Sequence, residues 1–410
     1  MRIVYISQHF PPEIGAAQGR AYDMAKNLKD IGHEVTMLTT FPNDRLIWKW
    51  YEREEIEEID VRRSFRIRDT KSSAVRRLAN YLSFMTSTII TGLFIKKPDI
   101  YYATSPHLFG AVAGYVLSRI RRTPFVLEVR DLWVDFAELL GQFKQPHLLK
   151  LARKLENFLY EKSDRIVTVT NGYKDRLVEL GVPEEKIHVV TNGVDPATLP
   201  TEKGKLNIRK ELGLEDQFII LFAGNIGAAQ GLDVVIPAAK TFKQEGVPIT
   251  FLFIGEGVEK QRLKQEANEM DLHNVVVLES MKKHELVDYY EAADMCLVSL
   301  KKHPLFNITI PSKIFDCMAM NKPIIIGVDG EAREIVEEND AGIFFEPEDP
   351  ADFVEKIKNI YRQRERLEEM QSHIRQAVLK KYNRQYLAKE LSDILKGCTK
   401  YRVTIEKGND

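Results

Sequence analysis

Short apolar runs alternate with segments of helical periodicity along this chain, and the pattern occurs twice. Runs at 3–7, 35–39, 100–103, 125–129 and 165–170 are separated by longer segments, of which the first helical one, 17–31, stops at Gly32. Runs at 218–223, 249–254, 275–278, 295–299, 323–326 and 342–345 repeat the plan. Unbroken apolar runs of this length fit strands covered on both faces, and strands alternating with helices require βαβ crossovers and a mainly parallel sheet. The expectation is an α/β protein of two doubly wound, Rossmann-like domains. The polar stretch 194–205, with Pro196, Pro200 and Gly204, reads as a linker. It divides the chain into domains at 1–200 and 201–375, followed by a helix at 376–396 that docks on one of them and a weakly ordered tail at 397–410.

Length and charge agree with this division. The chain has 410 residues, 44% hydrophobic and 29% charged, which favours two soluble domains over one. A net charge of −1 gives no overall attraction to nucleic acid. The cysteines, Cys296, Cys317 and Cys398, have neither metal-ligand spacing nor an even-numbered framework. With no secretory apolar segment after Met1-Arg2, they predict a reduced, cytoplasmic setting.

One region departs from the average. Residues 79–95 are mostly apolar but carry Asn80, Ser83, Thr86, Ser87, Thr88 and Thr91, so they fall short of a membrane span. Around them lie Arg62, Arg63, Arg66, Arg68, Lys71, Arg76, Arg77, Lys96 and Lys97, and later Arg119, Arg121 and Arg122. A basic patch beside an apolar helix fits a protein resting on the anionic inner face of a plasma membrane; a solvated basic face is the other reading.

Several motifs follow strands, where doubly wound sheets place their ligands. The loop from Pro11 to Arg20, containing Gly15 and Gly19, lies between the first strand and the first helix, and Gly224-Asn225-Ile226-Gly227-Ala228-Ala229-Gln230-Gly231 opens the second domain in the same way. Small residues there let backbone approach a ligand. The first loop is not Gly-x-Gly-x-x-Gly or a Walker loop, which disfavours a dinucleotide or ATP. Gly255-Glu256-Gly257 is a third candidate turn. Glu128-Val129-Arg130-Asp131-Leu132-Trp133 puts polar groups at the end of a buried strand. Finally, Ser312-Lys313-Ile314-Phe315-Asp316 places a cation and a carboxylate one helical turn apart. Backbone N–H groups at the helix start suit a phosphate and a carboxylate beside them suits the hydroxyls of a ribose, which suggests a nucleotide diphosphate site; a solvated ion pair is the other reading of the two residues alone.

With these residues in order, the chain resembles the retaining glycosyltransferases of family 4, which have the GT-B fold. The resemblance spans nearly the whole chain and is carried by the Gly15–Arg20 loop, Asn192-Gly193-Val194-Asp195, Gly224 to Gly231, Gly255-Glu256-Gly257, Tyr290-x-x-Ala293-Asp294, the Asp316 helix and Arg333-Glu334-Ile335-Val336. The wording of 128–133 and 311–313 is similar to bacterial aminodeoxysugar (fucosamine-type) transferases of surface polysaccharide assembly. The resemblance implies a nucleotide-diphosphate sugar donor, expected to be UDP-linked, held in a cleft between the domains by Gly15, Gly19, Gly224, Asn225, Gln230, Gly255, Ser312, Asp316, Arg333 and Glu334. It implies catalytic roles for Asp131, Arg130 and Lys313, a lipid-linked saccharide as acceptor, and no metal or other cofactor. Three departures stand out. The family's Glu-x7-Glu appears here as Ile308 and Asp316, its loop Arg and Lys as Asn225 and Gln230, and its His near 130–131 is missing. A sugar-nucleotide epimerase of the same shape and a non-catalytic sugar-nucleotide binder are the competing expectations.

Overall fold

The computed structural model describes residues 1–13, 15–42, 49–68, 74–141, 145–199, 206–282 and 284–408. It divides into two compact units, one formed by Met1–Thr191 with Arg384–Asp410 and the other by Asn192–Asn383.

The first unit is built on eight strands: β1 (Arg2–Ile6), β2 (Glu34–Thr40), β3 (Tyr51–Ile56), β4 (Ile59–Ser64), β5 (Ile100–Thr104), β6 (Phe125–Val129), β7 (Arg165–Thr168) and β8 (Ile187–Val189). Their order is β3-β4-β2-β1-β5-β6-β7-β8, parallel throughout except for β3. β1 and β5 are buried along nearly their whole length, which explains their unbroken apolar runs. The hairpin β3–β4 has no counterpart in the expected strands. Its outer strand, Tyr-Glu-Arg-Glu-Glu-Ile, is charged as an exposed edge requires, and its turn residues Glu57 and Glu58 take positive φ without glycine or asparagine to signal it.

The second unit holds six parallel strands: β9 (Phe218–Ala223), β10 (Ile249–Ile254), β11 (Val275–Leu278), β12 (Met295–Ser299), β13 (Ile324–Gly327) and β14 (Gly342–Phe344), in the order β11-β10-β9-β12-β13-β14. Its core joins the inner strands to the helices Val235–Glu245 and Pro350–Arg362 through Phe242, Phe251, Phe345, Phe353 and Ile357. Each sheet reverses direction once, between β1 and β5 and between β9 and β12, and the loops leaving those strands are where such folds bind ligands.

The division does not fall at 200. The chain leaves the first unit at Thr191 and returns at Arg384, and the two crossings pair, with Val194 N–H donating to Tyr382 O over 2.9 Å. Residues 200–205 of the expected linker lie outside the described residues. The carboxyl-terminal segment is two helices with separate homes. Arg364–Lys381 belongs to the second unit, while Arg384–Gly408 covers the first and runs through Gly397 without a break. Leu387, Leu391 and Leu395 of that last helix enter the core of the first unit, each burial contributing about 2 kcal/mol. Ser392 Oγ lies 2.7 Å from His33 Nε2, and Arg384 pairs with Asp23.

Candidate functional site

In the second unit the reversal point gathers three of the sequence-predicted residues, Lys313, Gln230 and Gly224. Lys313 opens the helix Lys313–Ala319, and its Nζ donates to Gln230 Oε1 at 3.0 Å. The ammonium also sits 3.6 Å from the centroid of the Phe222 ring on β9. A Cβ on Gly224 would come within 3.8 Å of Lys313 Cε and Nζ, so the glycine leaves the loop backbone open beside the cation. Gln230 is itself held, its carbonyl accepting from Ser299 Oγ at 2.7 Å. Among the described residues no carboxylate lies within ion-pair range of Lys313. Burial drives its pKa down to about 7, against a raising influence from Cys317 and Cys296. Such a lysine gains most from an incoming anion.

Backbone donors contribute less than the sequence suggested. Ile314 N–H is taken by Pro311 O at 3.1 Å and Phe315 N–H by Ser312 O at 3.2 Å, so the start of this seven-residue helix is partly satisfied by its own turn. Ser312 occupies the cap position without a side-chain cap bond. Asp316 lies half-buried one turn beyond Lys313. Next to it, burial pushes the Tyr290 hydroxyl well up, with Cys317 and Asp316 adding to the shift.

The other glycines have a packing role. A Cβ on Gly255 would stand 1.8 Å from Gly224 O, and one on Gly257 2.0 Å from Ile226 O. Gly224 N–H donates to Ile254 O at 2.9 Å and Ile226 N–H to Glu256 O at 2.8 Å. The Gly-x-Gly loop thus lies backbone to backbone against the Gly224 loop and fixes its path. Asn225 is exposed, with its amide folded over Gly227. Arg333 is engaged elsewhere: it pairs with Glu337 at 2.9 Å and Asp329 at 3.5 Å, and its guanidinium lies 4.0 Å from the Phe344 ring centroid. Glu334 is exposed on the same helix. No contact between either residue and Lys313 is present among the described residues.

In the first unit, Gly15 caps the helix Ala16–Asp30, and Gly19 within it has open space where a Cβ would be. Arg20 beneath them is fully buried. Its Nε donates to Glu128 Oε1 at 2.9 Å, and its Nη atoms donate to Thr191 O and Val190 O at 2.7 and 2.9 Å. Glu128 therefore anchors the loop from below, leaving Arg130 and Asp131 as the strand-end groups. Arg130 Nη1 donates to Ala17 O at 3.1 Å. Burial raises the Asp131 carboxyl to about 6, against the lowering pull of Arg130.

The reversal point also holds residues the sequence reading did not select. His9 follows β1 and His107 follows β5, and their rings lie 4.9 Å apart. His9 Nδ1 is 2.6 Å from Glu13 Oε2, and Arg66 Nη2 is 3.5 Å from Glu13 Oε1. Burial, then His9, Arg66 and Arg130, hold His107 down to about 3, so it is a neutral imidazole. Histidines are thus present near Arg130, but from β1 and β5 rather than from 130–131. Only the adjacency of β1 and β5 brings them together; the available signal was a histidine within three residues after each strand.

A cavity of about 250 Å³ lies at the other end of the first sheet, lined by Arg2, Glu34, Arg53, Asp60 and Arg62 among others. Its arginines are already paired, Arg53 and Arg62 with Asp60 and Arg2 with Asp99. No group of three or more His, Cys, Asp and Glu among the described residues is arranged to hold a metal ion.

Comparison with known proteins decides what these two reversal points belong to. Residues 17–198 match the family described as Glycosyltransferase Family 4, and residues 204–378 match Glycosyl transferases group 1. The chain is a glycosyltransferase, its earlier part matching family 4 and its later part group 1. Among relatives of this glycosyltransferase, WcaI of Escherichia coli (strain K12), provisionally assigned to colanic acid biosynthesis, is 26% identical over 342 residues, 80% of this chain and 83% of that one. The sucrose-phosphate synthase of Thermosynechococcus elongatus superposes with a TM-score of 0.77 at 16% identity, covering 97% of this chain and 98% of that one. HepE of Anabaena, solved in complex with UDP-glucose, superposes with a TM-score of 0.74 at 17% identity, covering 97% and 100%. These likenesses establish the GT-B fold for this glycosyltransferase.

Proposed function

We propose that this glycosyltransferase moves a sugar from a UDP-linked donor to a lipid-linked saccharide during surface polysaccharide synthesis, with retention at the anomeric carbon. The observation that carries the proposal is Lys313: a half-buried cation with no carboxylate in ion-pair range among the described residues, held by Gln230 and Phe222 next to the open backbone of Gly224. A diphosphate supplies the missing anion. In the reaction the bond from the anomeric carbon to the diphosphate oxygen breaks, and its electron pair leaves with the diphosphate. The acceptor hydroxyl oxygen bonds to the same carbon, and its proton passes to the departing phosphate. Protonated Lys313 stabilises the charge that builds on the leaving group, and losing one such donor costs about a hundredfold in rate. Asp316 takes the ribose hydroxyls, and Arg130 and Asp131 orient the acceptor. The UDP-glucose complex of HepE and the biosynthetic assignment of WcaI support the donor and the pathway class. The wording of 128–133 and 311–313 supports an aminodeoxy sugar as the group transferred.

The test is a thermal-shift panel of UDP-, GDP-, dTDP- and ADP-sugars on the wild type, Lys313→Ala and Asp316→Ala. Selective stabilisation by UDP-sugars that weakens in both variants is expected, because a ligand stabilises in proportion to its affinity. Equal stabilisation of all three proteins would remove the site. The anomeric configuration of the product, read by NMR, then tests retention.

A further inference from the structure

The helix Ala74–Leu93 exposes part of its apolar surface. Four of its polar side chains, Asn80, Ser87, Thr88 and Thr91, are buried against the protein, while Arg76, Arg77 and Thr86 are exposed. Three of the four are held, Asn80 Nδ2 donating to Ile67 O at 2.6 Å, Ser87 Oγ to Phe65 O at 2.5 Å, and Ser64 Oγ to Thr91 Oγ1 at 3.1 Å, while Thr88 Oγ1 has no partner among the described residues. Phe84 is buried with them, but other apolar side chains face outward. Leu78, Leu82, Ile90 and Leu93 are exposed at helical spacing, and Phe94, just past the last turn, is 82% exposed. Close packing adds a further group. A Cβ on Gly92 would stand 2.4 Å from Leu117 of the helix Leu108–Arg121, and Ile120, one turn beyond Leu117, is 55% exposed. Arg121 donates to the carbonyls of Leu93 and Ile95 and ties this end together.

Charge identifies the medium. Between residues 70 and 127 the chain carries eight Lys and Arg and a single acid, Asp99, which pairs with Arg2. Lys96, Lys97 and Arg122 are exposed beside the apolar tip. The arginines expected at 62–66 are spent elsewhere: Arg62 pairs with Asp60, Arg63 with Glu54 and Arg66 with Glu13. No helix among the described residues is long and apolar enough to cross a membrane. An apolar stripe flanked by cations lies in a bilayer interface instead.

We propose that the outer face of Ala74–Leu93, with Phe94 and Ile120 as its deepest groups, docks on an anionic lipid bilayer. The proposal rests on the lipid-linked acceptor reading, to which it gives a place on the chain. The probe is flotation of the full chain with phosphatidylglycerol vesicles and with neutral phosphatidylcholine vesicles, alongside UDP thermal shift on the same proteins. Binding to the anionic vesicles at low salt, released at high salt, is expected. Lys96→Gln with Lys97→Gln should weaken partitioning about thirtyfold, roughly fivefold per cation, and Ile90→Ser with Phe94→Ser by about tenfold or more, both with UDP stabilisation unchanged. Phe94→Trp should show blue-shifted emission quenched by doxyl-labelled lipid. No flotation with anionic vesicles, or flotation indifferent to both double variants, overturns the proposal. So does self-association in sedimentation velocity that Ile90→Ser with Phe94→Ser abolishes, since the face would then belong to a second copy. Flotation without UDP stabilisation would instead remove the donor reading alone.

Discussion

Lys313 should make donor binding and protein stability respond to pH in opposite directions. With a pKa of about 7, the free enzyme carries a protonated Lys313 in about nine molecules of ten near pH 6 and in about one of a hundred near pH 9. If a diphosphate binds only the protonated form, Kd for a UDP-sugar rises about a hundredfold across that interval. Stability moves the other way. The unfolded lysine titrates near 10.5 and the folded one near 7, so between these values the unfolded chain holds the extra proton and the folded state gains stability as pH rises. Isothermal titration of UDP and a UDP-sugar, with urea unfolding of the empty protein over the same pH range, measures both effects. Lys313→Gln should flatten both profiles and leave the protein folded, because the glutamine retains a hydrogen-bond donor toward Gln230. A wild-type Kd that is flat from about pH 7 to pH 9, or a variant that keeps the wild-type slope, would refute the assignment of Lys313 to the diphosphate.

Asp316→Ala should raise Kd for UDP about tenfold while leaving inorganic diphosphate unaffected, and Asp316→Glu should restore most of the loss; titration calorimetry separates these cases. Gly257→Ala should lower Tm by several degrees because its Cβ meets Ile226 O at 2.0 Å, whereas Gly19→Ala, with open space around it, should raise stability by about 0.5 to 1 kcal/mol. Loss of transfer in that stabilised variant would mark a ligand that approaches the Gly19 backbone. His9→Gln and Glu13→Gln should leave UDP affinity unchanged and lower transfer in steady-state assays with UDP-sugar, since both lie in the first unit; unchanged transfer in both would remove that cluster from the reaction.

The inner strands were legible because burial on both faces writes itself as unbroken apolar runs, as in Phe218–Ala223 and Ile249–Ile254. The hairpin of β3 and β4 was not, because an edge strand must be charged and its turn used two glutamates in positive φ. Lys313 and Asp316 were legible as a local pair on one helix, and so, in principle, was the engagement of Arg333 with carboxylates four residues to either side. The His9–His107 contact was not, since it depends on strand order and joins positions 98 residues apart. Gly255 and Gly257 read as a turn, but their reason is a neighbouring loop whose backbone leaves no room for a side chain. The basic cluster at 62–66 shows the same limit: charge counts are local, while the partners that neutralise those arginines come from β3, β4 and the loop after β1.

The return of the chain at Arg384 has a consequence for how the molecule is made. Three leucines that complete the interior of the first unit are translated only after the whole second unit has been strung out. The second unit can close during synthesis, whereas the first must wait with an open apolar flank until residues beyond 384 leave the ribosome. A nascent chain stalled just short of Arg384 should therefore present a finished later half and an unfinished earlier one, with its uncovered side exposed to chaperones and proteases.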